Sequence, residues 1–497
     1  MKLFLILFLF VGKTFSQQIF SDEKIISASL TGQNKMSDID VDNNGNIFIC
    51  WINNLSNHKN IFFSKSTDLG NTFSLPIQTN DVPNYVNHIP YGGPKIDERN
   101  GIIHIIWADE RLGYTRTNIF YSRSTDSGLT WSTSRPLGLA SKFNAYPEIK
   151  IDDSGIIHII YYSYNRIGLE FENIHYVSSN DGGITFSSPV VGSNFIGSKP
   201  CDCCPADIHF LNNGKKIIAF RNDENNIRDM YFVSADSNNW GNLTRISNDN
   251  YNINFCPSSG PTIASKDSLI AISYMVGKND VFKAFLKISN NNLNSFGDSI
   301  PLDPNAQNDI EQNHPSVGID NDFTTHIIWE DERGLGDIYY GKLLFGNNFV
   351  SDIQSIIEDT TFSYQGEPRL FVQNNDGHIV WTDTRNESHI YYRKWKTIPN
   401  SVDEELETGK RKFNLNNFPN PFNPKTKILF SLNNTENVSL KIYDVFGREI
   451  KTLIDKKFMS DGNYKIDFDG SNFNSGIYFY KLTTNNFSEM KKMVLVK

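Results

Sequence analysis

Along residues 17–396, short apolar runs alternate with turns rich in Asp, Asn and Gly. The second run of each unit closes on an aromatic: Trp51, Trp107, Tyr161, Phe220, Tyr274, Trp329 and Trp381, spaced by 52 to 59 residues. A proline opens the first run of a unit at Pro94, Pro147, Pro205, Pro261, Pro315 and Pro368, with Ser37 in that slot of the first unit. Both rulers divide the segment into the same seven units. Unit three shows the pattern: Pro147–Ile151, Ile156–Tyr161, Ile174–Val177 and Phe186–Val191 read as four short strands broken by turns. Four strands per unit at this period are the signature of a propeller blade. Helical periodicity, which an α/β solenoid requires, is missing. The expected fold class is therefore all-β, a seven-bladed β-propeller, or a six-bladed one if a unit is irregular. Unit seven offers three strands, ending at Ile390–Trp395, so the spare segment Ile19–Leu30 is expected to supply its fourth and remove exposed edges.

The chain ends differ from this array. Residues 1–16 read as a signal peptide, with Lys2, the apolar run Leu3–Val11, and a small-residue cleavage site at Thr14–Ser16. That run is too short to anchor the protein in a bilayer, and no later stretch reaches spanning length. An exported mature chain without a transmembrane segment is expected. Residues 397–413 carry Asp403–Glu405 and Lys410–Lys412 without a strand pattern, and read as a charged linker. Residues 414–497 return to short strands broken by Gly, Asn and Pro, the pattern of a small β-sandwich. They contain Asn417-Phe-Pro-Asn-Pro-Phe-Asn-Pro424, Ser439-Leu-Lys-Ile-Tyr443-Asp444, Gly447-Arg448-Glu449-Ile450, Ser475-Gly476-Ile477-Tyr478 and a final Met493-Val-Leu-Val-Lys497.

This stretch resembles the C-terminal sorting domain of bacterial type IX secretion, the Por secretion tail, and is similar to the Ig-like domain of flagellar hook-capping proteins. The resemblance implies an Ig-like fold for residues 414–497 and the type IX machinery as their partner. It also implies passage through the periplasm and across the outer membrane, then tail removal with release or surface attachment.

A second motif recurs in the array. Ser66-Thr-Asp68-Leu-Gly70-Asn-Thr72-Phe73 returns as Ser124-Thr-Asp126-Ser-Gly128-Leu-Thr130-Trp131 and as Ser179-Asn-Asp181-Gly-Gly183-Ile-Thr185-Phe186. It resembles the Asp box, or BNR repeat, of the sialidase superfamily. Its role is structural: the carboxylate accepts backbone N–H bonds, glycine supplies an unusual φ, and the aromatic packs between sheets. Asp236 and Asn291 occupy altered copies, and units six and seven lack the box.

Composition narrows the function classes. A net charge of −9 weighs against a phosphate-tracking nucleic-acid binder. A mean hydropathy of −0.40 excludes a polytopic membrane protein. Five cysteines are too few to staple 497 residues, so the chain rests on its own core.

Candidate chemistry lies in loops that a four-stranded blade would bring to one face. Asp109/Arg111, Asp331/Arg333 and Asp383/Arg385 follow the unit aromatics, and unit four adds Arg221, Asp223, Arg228 and Asp229. Guanidinium groups there could hold a carboxylated or polyhydroxylated ligand; because the motif repeats, each pair could equally lock its own loop. His104, His158, His326 and His378 recur three residues before the aromatics, which marks them as packing residues. Cys201, Cys203, Cys204 and Cys256 fall in neighbouring loops. Export favours at least one disulfide between Cys256 and the other three over a thiolate metal site, with Cys50 a buried thiol. Asp40–Gly45 matches the opening of an EF-hand loop, but Trp51 stands where the closing Glu belongs. Sialidase likeness implies three arginines, a Tyr–Glu pair and an acidic residue. The family's Arg-Ile-Pro motif is absent here, and spacing assigns no Tyr–Glu pair. The expected function is binding of carbohydrate or another surface polymer, without a cofactor. An exo-acting glycoside hydrolase and a structural protein-contact module are the alternatives.

Overall fold

The computed structural model describes residues 18–497 except 88, 166–170, 193–198, 212–213, 237–238, 242, 256, 279–280, 292, 294, 334–335, 359–362, 398–414, 419, 433–434, 446, 461 and 485–487. The signal-peptide segment 1–16 and nearly all of the linker lie outside the described residues. The chain divides into two compact units at Lys396/Thr397.

The described residues of Phe20–Lys396 form seven antiparallel sheets, numbered one to seven in chain order. Their first, inner strands are Gln33–Val41, Lys95–Arg99, Phe143–Ile151, Asp207–Phe210, Thr262–Lys266, Gln312–Ile319 and Gln365–Gln373. These strands touch in cyclic order, and the seventh returns to the first. Residues at or just before all seven line one central cavity of about 130 Å³. The spare N-terminal segment forms two short strands, Gln18–Phe20 and Lys24–Ile25, both paired with His389–Thr397 of sheet seven.

The continuous apolar runs are explained by burial on both faces. Side chains alternate along a strand, so Ile47, Ile49 and Trp51 pack toward Val380, Ile390 and Tyr392 of sheet seven. Phe48, Cys50 and Ile52 face Ile103, Ile105 and Trp107 of sheet two. The seven unit aromatics are fully buried in such seams, each contributing about 1.5–3 kcal/mol or more by leaving water.

Inner strands have no ladder partner on their cavity side. The preceding sheet supplies acceptors instead. Asp38 and Asp40 accept the amides of Ile96 (3.0 Å) and Glu98 (2.6 Å), Asp97 that of Ile151 (3.0 Å), and Asp207 that of Ile263 (2.8 Å). Burial outweighs these hydrogen bonds and lifts the carboxyls of Asp40, Asp97 and Asp207 above the ordinary range. Lys95 pairs with Glu148 at 2.5 Å. Burial opposes the charge of Lys150, but Glu148, Asp97, Asp38 and Asp207 prevail and hold it protonated.

The three Asp-box turns are built alike. In each, the aspartate accepts the serine hydroxyl two residues earlier (2.7–2.8 Å) and the threonine amide four residues later (2.9 Å). The serine hydroxyl also accepts the glycine amide at 2.8–3.0 Å. The glycines stand at φ +79, +83 and +80, and a Cβ there would collide with an aromatic of the preceding sheet. The box aromatics complete this seam: Phe73 packs on Tyr392, Trp131 on Phe63, and Phe186 on Tyr121, with ring centroids 4.9–5.3 Å apart. In sheet five, Asn291 holds the same turn by accepting Ser289 Oγ and the Ser295 amide, each at 3.0 Å.

The C-terminal unit has a three-stranded sheet (Leu415–Phe418, Lys425–Leu432, Gly462–Asp469) and a four-stranded sheet (Glu449–Met459, Glu436–Tyr443, Gly476–Thr483, Ser488–Leu495). Both feed a shared core that includes Leu415, Phe430, Leu440, Tyr480 and Leu495. The Asn-Pro-Phe segment docks on the last strand, with Asn420 Oδ1 and Phe422 N bonded to the Val494 backbone at 2.7 and 2.9 Å.

Asn291 suggests a graded test of the boxes. Asp126→Ala should lower the melting temperature by a few degrees, and Asp126→Asn by less. Equal melting of wild type and the alanine variant would contradict this account.

The two sets of carboxyls give opposite pH dependences. For Asp40, Asp97 and Asp207 the folded state binds the proton more tightly than the unfolded chain, so their contribution is present at low pH and is lost as pH rises through their raised folded values. Hydrogen bonds from the box Thr, Ser and backbone hold Asp126 down at about 2, and Asp68 and Asp181 also below the ordinary range. Their contribution is present above about pH 4 and fades below it. Thermal stability should therefore rise from pH 8 toward about pH 5 and fall below about pH 4. Asp207→Asn should flatten the upper limb, and an unchanged slope in melting scans would overturn this assignment.

Candidate functional site

A kink in the inner strands builds the cavity mouth. The register slips at Lys35/Asp38, Ala145/Glu148, Asn313/Ser316 and Gly366/Arg369. Such bulges re-aim a side chain. Here they leave Met36, Tyr146, His314 and Glu367 at positive φ, between 44 and 56, a strain of order 1–3 kcal/mol each. Tyr91, at φ 58 before the inner strand of sheet two, joins them.

The Tyr91 ring stacks on His314 from sheet six, with centroids 3.7 Å apart, and so bridges two non-adjacent sheets. His314 Nδ1 meets Glu330 Oε2 at 2.7 Å and Nε2 meets the Ser258 carbonyl at 3.2 Å. Glu330 Oε1 accepts the Glu367 amide at 2.6 Å, and Glu367 Oε2 accepts the Met36 amide and the Thr382 hydroxyl, each at 2.6 Å. Burial pushes the Glu367 carboxyl up. Tyr364 lies near Tyr91 and stays 41% exposed. Burial first, then the charges of Glu330 and Glu367, raise both phenols. They stay protonated and offer O–H donors and ring faces; the phenolate is disfavoured. Donors, carboxylates and an exposed aromatic face together suit a polyhydroxylated ligand.

The spacing of the sequence did not single out these five residues. One signal was available: the slot before the inner-strand proline holds Tyr146, His314 and Glu367, different chemistries in equivalent places.

The candidate Asp–Arg pairs sit in their own loops. Arg111 clamps Asp109 through Nε (2.8 Å) and Nη2 (2.7 Å), while Trp107 Nε1 donates to Asp109 at 3.0 Å. Arg333 with Asp331 and Trp329, and Arg385 with Asp383 and Trp381, repeat the arrangement. Each guanidinium also lies over a third-strand ring, at 3.8–4.5 Å. Remaining donors go to Asp81, Asp303 and Glu23 respectively. A ligand would have to displace these bonds.

In unit four, Arg221 is wholly buried and spends its donors on the carbonyls of Ser259, Arg228 and Met275 at 2.7–3.1 Å. Arg228 pairs with Asp223 at 3.1 Å, and Asp229 with Arg245. Cys203 is disulfide-bonded, and Cys50, Cys201 and Cys204 are free thiols. Cys256 lies outside the described residues.

The repeated histidines are buried, each bonded through Nδ1 to a tyrosine hydroxyl on the third strand of its own sheet: Tyr121, Tyr176, Tyr340 and Tyr392, at 2.6–2.8 Å. Burial depresses His104 to about 3 and His158 and His378 to about 4. In the Asp42 turn, the carboxylate is taken up by the amides of Asn44 and Asn46 at 2.8 Å.

Residues 416–497 match the family described as a secretion system C-terminal sorting domain. No curated protein matches the chain. Among solved structures, a polysaccharide lyase, PL25 ulvan lyase bound to -[GlcA(1-4)Rha3S]-, is similar at TM-score 0.54 and 12% identity, covering 76% of this chain and 95% of that one. The same class of lyase without the sugar gives TM-score 0.53 at 12% identity and the same coverage. An intramolecular trans-sialidase from Ruminococcus gnavus shares 14% identity over 77% of this chain and 97% of its own, at TM-score 0.39. The array thus shares the fold of these lyases, a likeness that at 12% identity extends to the fold alone. The C-terminal segment is a type IX secretion sorting tail, which marks the protein for secretion or the outer cell surface.

Because the tail owns a separate core, deleting 414–497 should leave a folded array trapped in the periplasm. Full export of the truncated protein, followed by cell fractionation, would refute the sorting role.

Proposed function

We propose that this protein is a secreted, seven-bladed propeller that binds polysaccharide at the mouth of its central cavity. Residues 1–16 direct it to the periplasm, and an Ig-like tail, 414–497, carries it to the surface or the medium. The observation that carries the reading is the Tyr91–His314–Glu330–Glu367–Tyr364 cluster. It gathers ring faces, phenol donors and carboxylate acceptors from sheets on opposite sides of one cavity. The Asp–Arg pairs of sheets two, six and seven frame the same loops. Support for a saccharide ligand comes from the lyase of like fold, which was solved with a uronate-containing repeat. A catalytic version of this reading is favoured by one feature: His314 bonds Glu330 while its ring stacks on Tyr91, a His–carboxylate pair able to move a proton.

Purified full-length protein applied to a glycan array and a panel of acidic and neutral polysaccharides should show binding. Tyr91→Ala and Glu330→Gln should weaken it at least tenfold, which corresponds to about 1.4 kcal/mol. Asp126→Ala should leave it intact. Release of reducing ends, or ultraviolet absorbance from an unsaturated uronate, would establish the catalytic version. Absence of binding to every saccharide tested would overturn the proposal.

A further inference from the structure

A second centre lies in the loop Lys199-Pro200-Cys201-Asp202-Cys203-Cys204-Pro205. Three sulfurs converge there: Cys201 Sγ stands 3.4 Å from Cys204 Sγ and 3.7 Å from Cys203 Sγ. Cys203 is oxidised in a disulfide while Cys201 and Cys204 are reduced and buried. A disulfide and two thiols thus lie within reach of one another.

The surroundings favour a thiolate at Cys201. Arg228 Nη1 donates to its sulfur at 2.9 Å. Arg221 is buried nearby on carbonyl oxygens alone, so its charge has no carboxylate partner among the bonds it makes. Arg228 also leaves its Nε buried without a hydrogen-bond partner among the described residues. Arg228, paired with Asp223 at 3.1 Å, and Arg221 thus set guanidinium charge beside this sulfur, a setting that favours the thiolate. The hydrogen bond from Cys204, then the nearby Arg228 and Arg221, draw the Cys201 thiol below its ordinary range in spite of burial. Burial, and its own donation to Cys201, push Cys204 up. An attacking group and a proton-holding resolving group are thereby set apart.

The backbone fixes this arrangement. The Cys201 amide donates to Arg221 O at 2.7 Å, and Tyr162 Oη donates to Cys204 O at 2.6 Å. The adjoining loop is pressed against it at Gly260, where a Cβ would collide with the Pro205 carbonyl.

We propose that Cys201, Cys203 and Cys204 form a thiol–disulfide exchange centre that moves a disulfide from Cys203 and its partner to the Cys201–Cys204 pair. In the first step the Cys201 thiolate attacks Cys203 Sγ. A Cys201–Cys203 bond forms, the existing Cys203 disulfide breaks, and its partner sulfur leaves as a thiolate. In the second step Cys204 loses its proton to that leaving thiolate through solvent and attacks Cys201 Sγ, releasing Cys203 as a thiolate that takes up the proton given up by Cys201. One disulfide and two thiols are present before and after, so no oxidant or reductant is consumed. The consequence is a loop on the cavity face that exists in a cross-linked and an uncross-linked form.

The test is peptide mapping of the full-length protein, acid-quenched and alkylated without reduction after incubation under argon at mildly alkaline pH. The starting protein should show Cys203 in a disulfide-linked peptide, and a Cys201–Cys204 peptide should grow to a constant fraction with time. Cys201→Ser should abolish that growth, and Cys204→Ser should stop it at a Cys201–Cys203 peptide. Arg228→Gln should slow it about tenfold, reporting on the thiolate separately from the fold, which circular dichroism checks for every variant. A single unchanging Cys203 linkage in wild type would overturn the proposal, as would zinc or copper bound stoichiometrically by these sulfurs. Loss of exchange leaves the polysaccharide reading untouched, since the array assay uses other residues.

Discussion

The unpaired amide edge of each inner strand is the constraint on which the rest of this molecule depends. Those strands border the central cavity, where no further strand can complete the ladder, and buried amides left without acceptors are costly. The chain answers with side-chain acceptors from the preceding sheet, chiefly Asp38, Asp40, Asp97 and Asp207. Carboxylates so placed need counter-charge, which Lys95 and Lys150 supply inside the same ring. An apparently hydrophilic cavity wall is thus a structural necessity, and its charges are largely consumed by the fold.

The outer seams solve a different problem with repeated parts. Asp-box aromatics, histidine–tyrosine bonds and Trp-anchored Asp–Arg pairs each join sheets or lock loops, and each recurs where the geometry recurs. Repetition marks them as scaffold. Against that background the non-repeating residues stand out: the strained Tyr91, His314 and Glu367 at the mouth, and the three sulfurs beside Arg228. Strain at the inner-strand bulges is tolerated because the ring of sheets over-determines the backbone there. The same bulges turn those side chains into the opening.

Much of this was legible in the chain. Period, strand count per unit, the box turns and the role of N-terminal residues in sheet seven follow from spacing and residue type, while the sorting tail was legible through its resemblance to a known family. These are local matters, decided by alternation, turn chemistry and a repeat that shows itself many times. The Asp–Arg pairs illustrate the limit. Their spacing identified the loop but left open whether the guanidinium faces a ligand or its own aspartate; only the folded loop, with Arg111 on both oxygens of Asp109 and Trp107 Nε1 on one of them, decides for the latter.

The candidate site lay beyond such reading for a physical reason. Tyr91, His314, Glu330 and Tyr364 come from units two, six and seven, and meet only because the seventh inner strand returns to the first. Their ring contact and shared hydrogen bonds are products of closure, which has no signature at any one position. The cysteines divide in the same way. Sequence determined that several sulfurs share one short loop in an exported protein. Tertiary structure decided that Arg221 and Arg228 lie beside Cys201, because the guanidinium groups arrive from a different strand and loop, Arg221 held there by backbone carbonyls and Arg228 by Asp223.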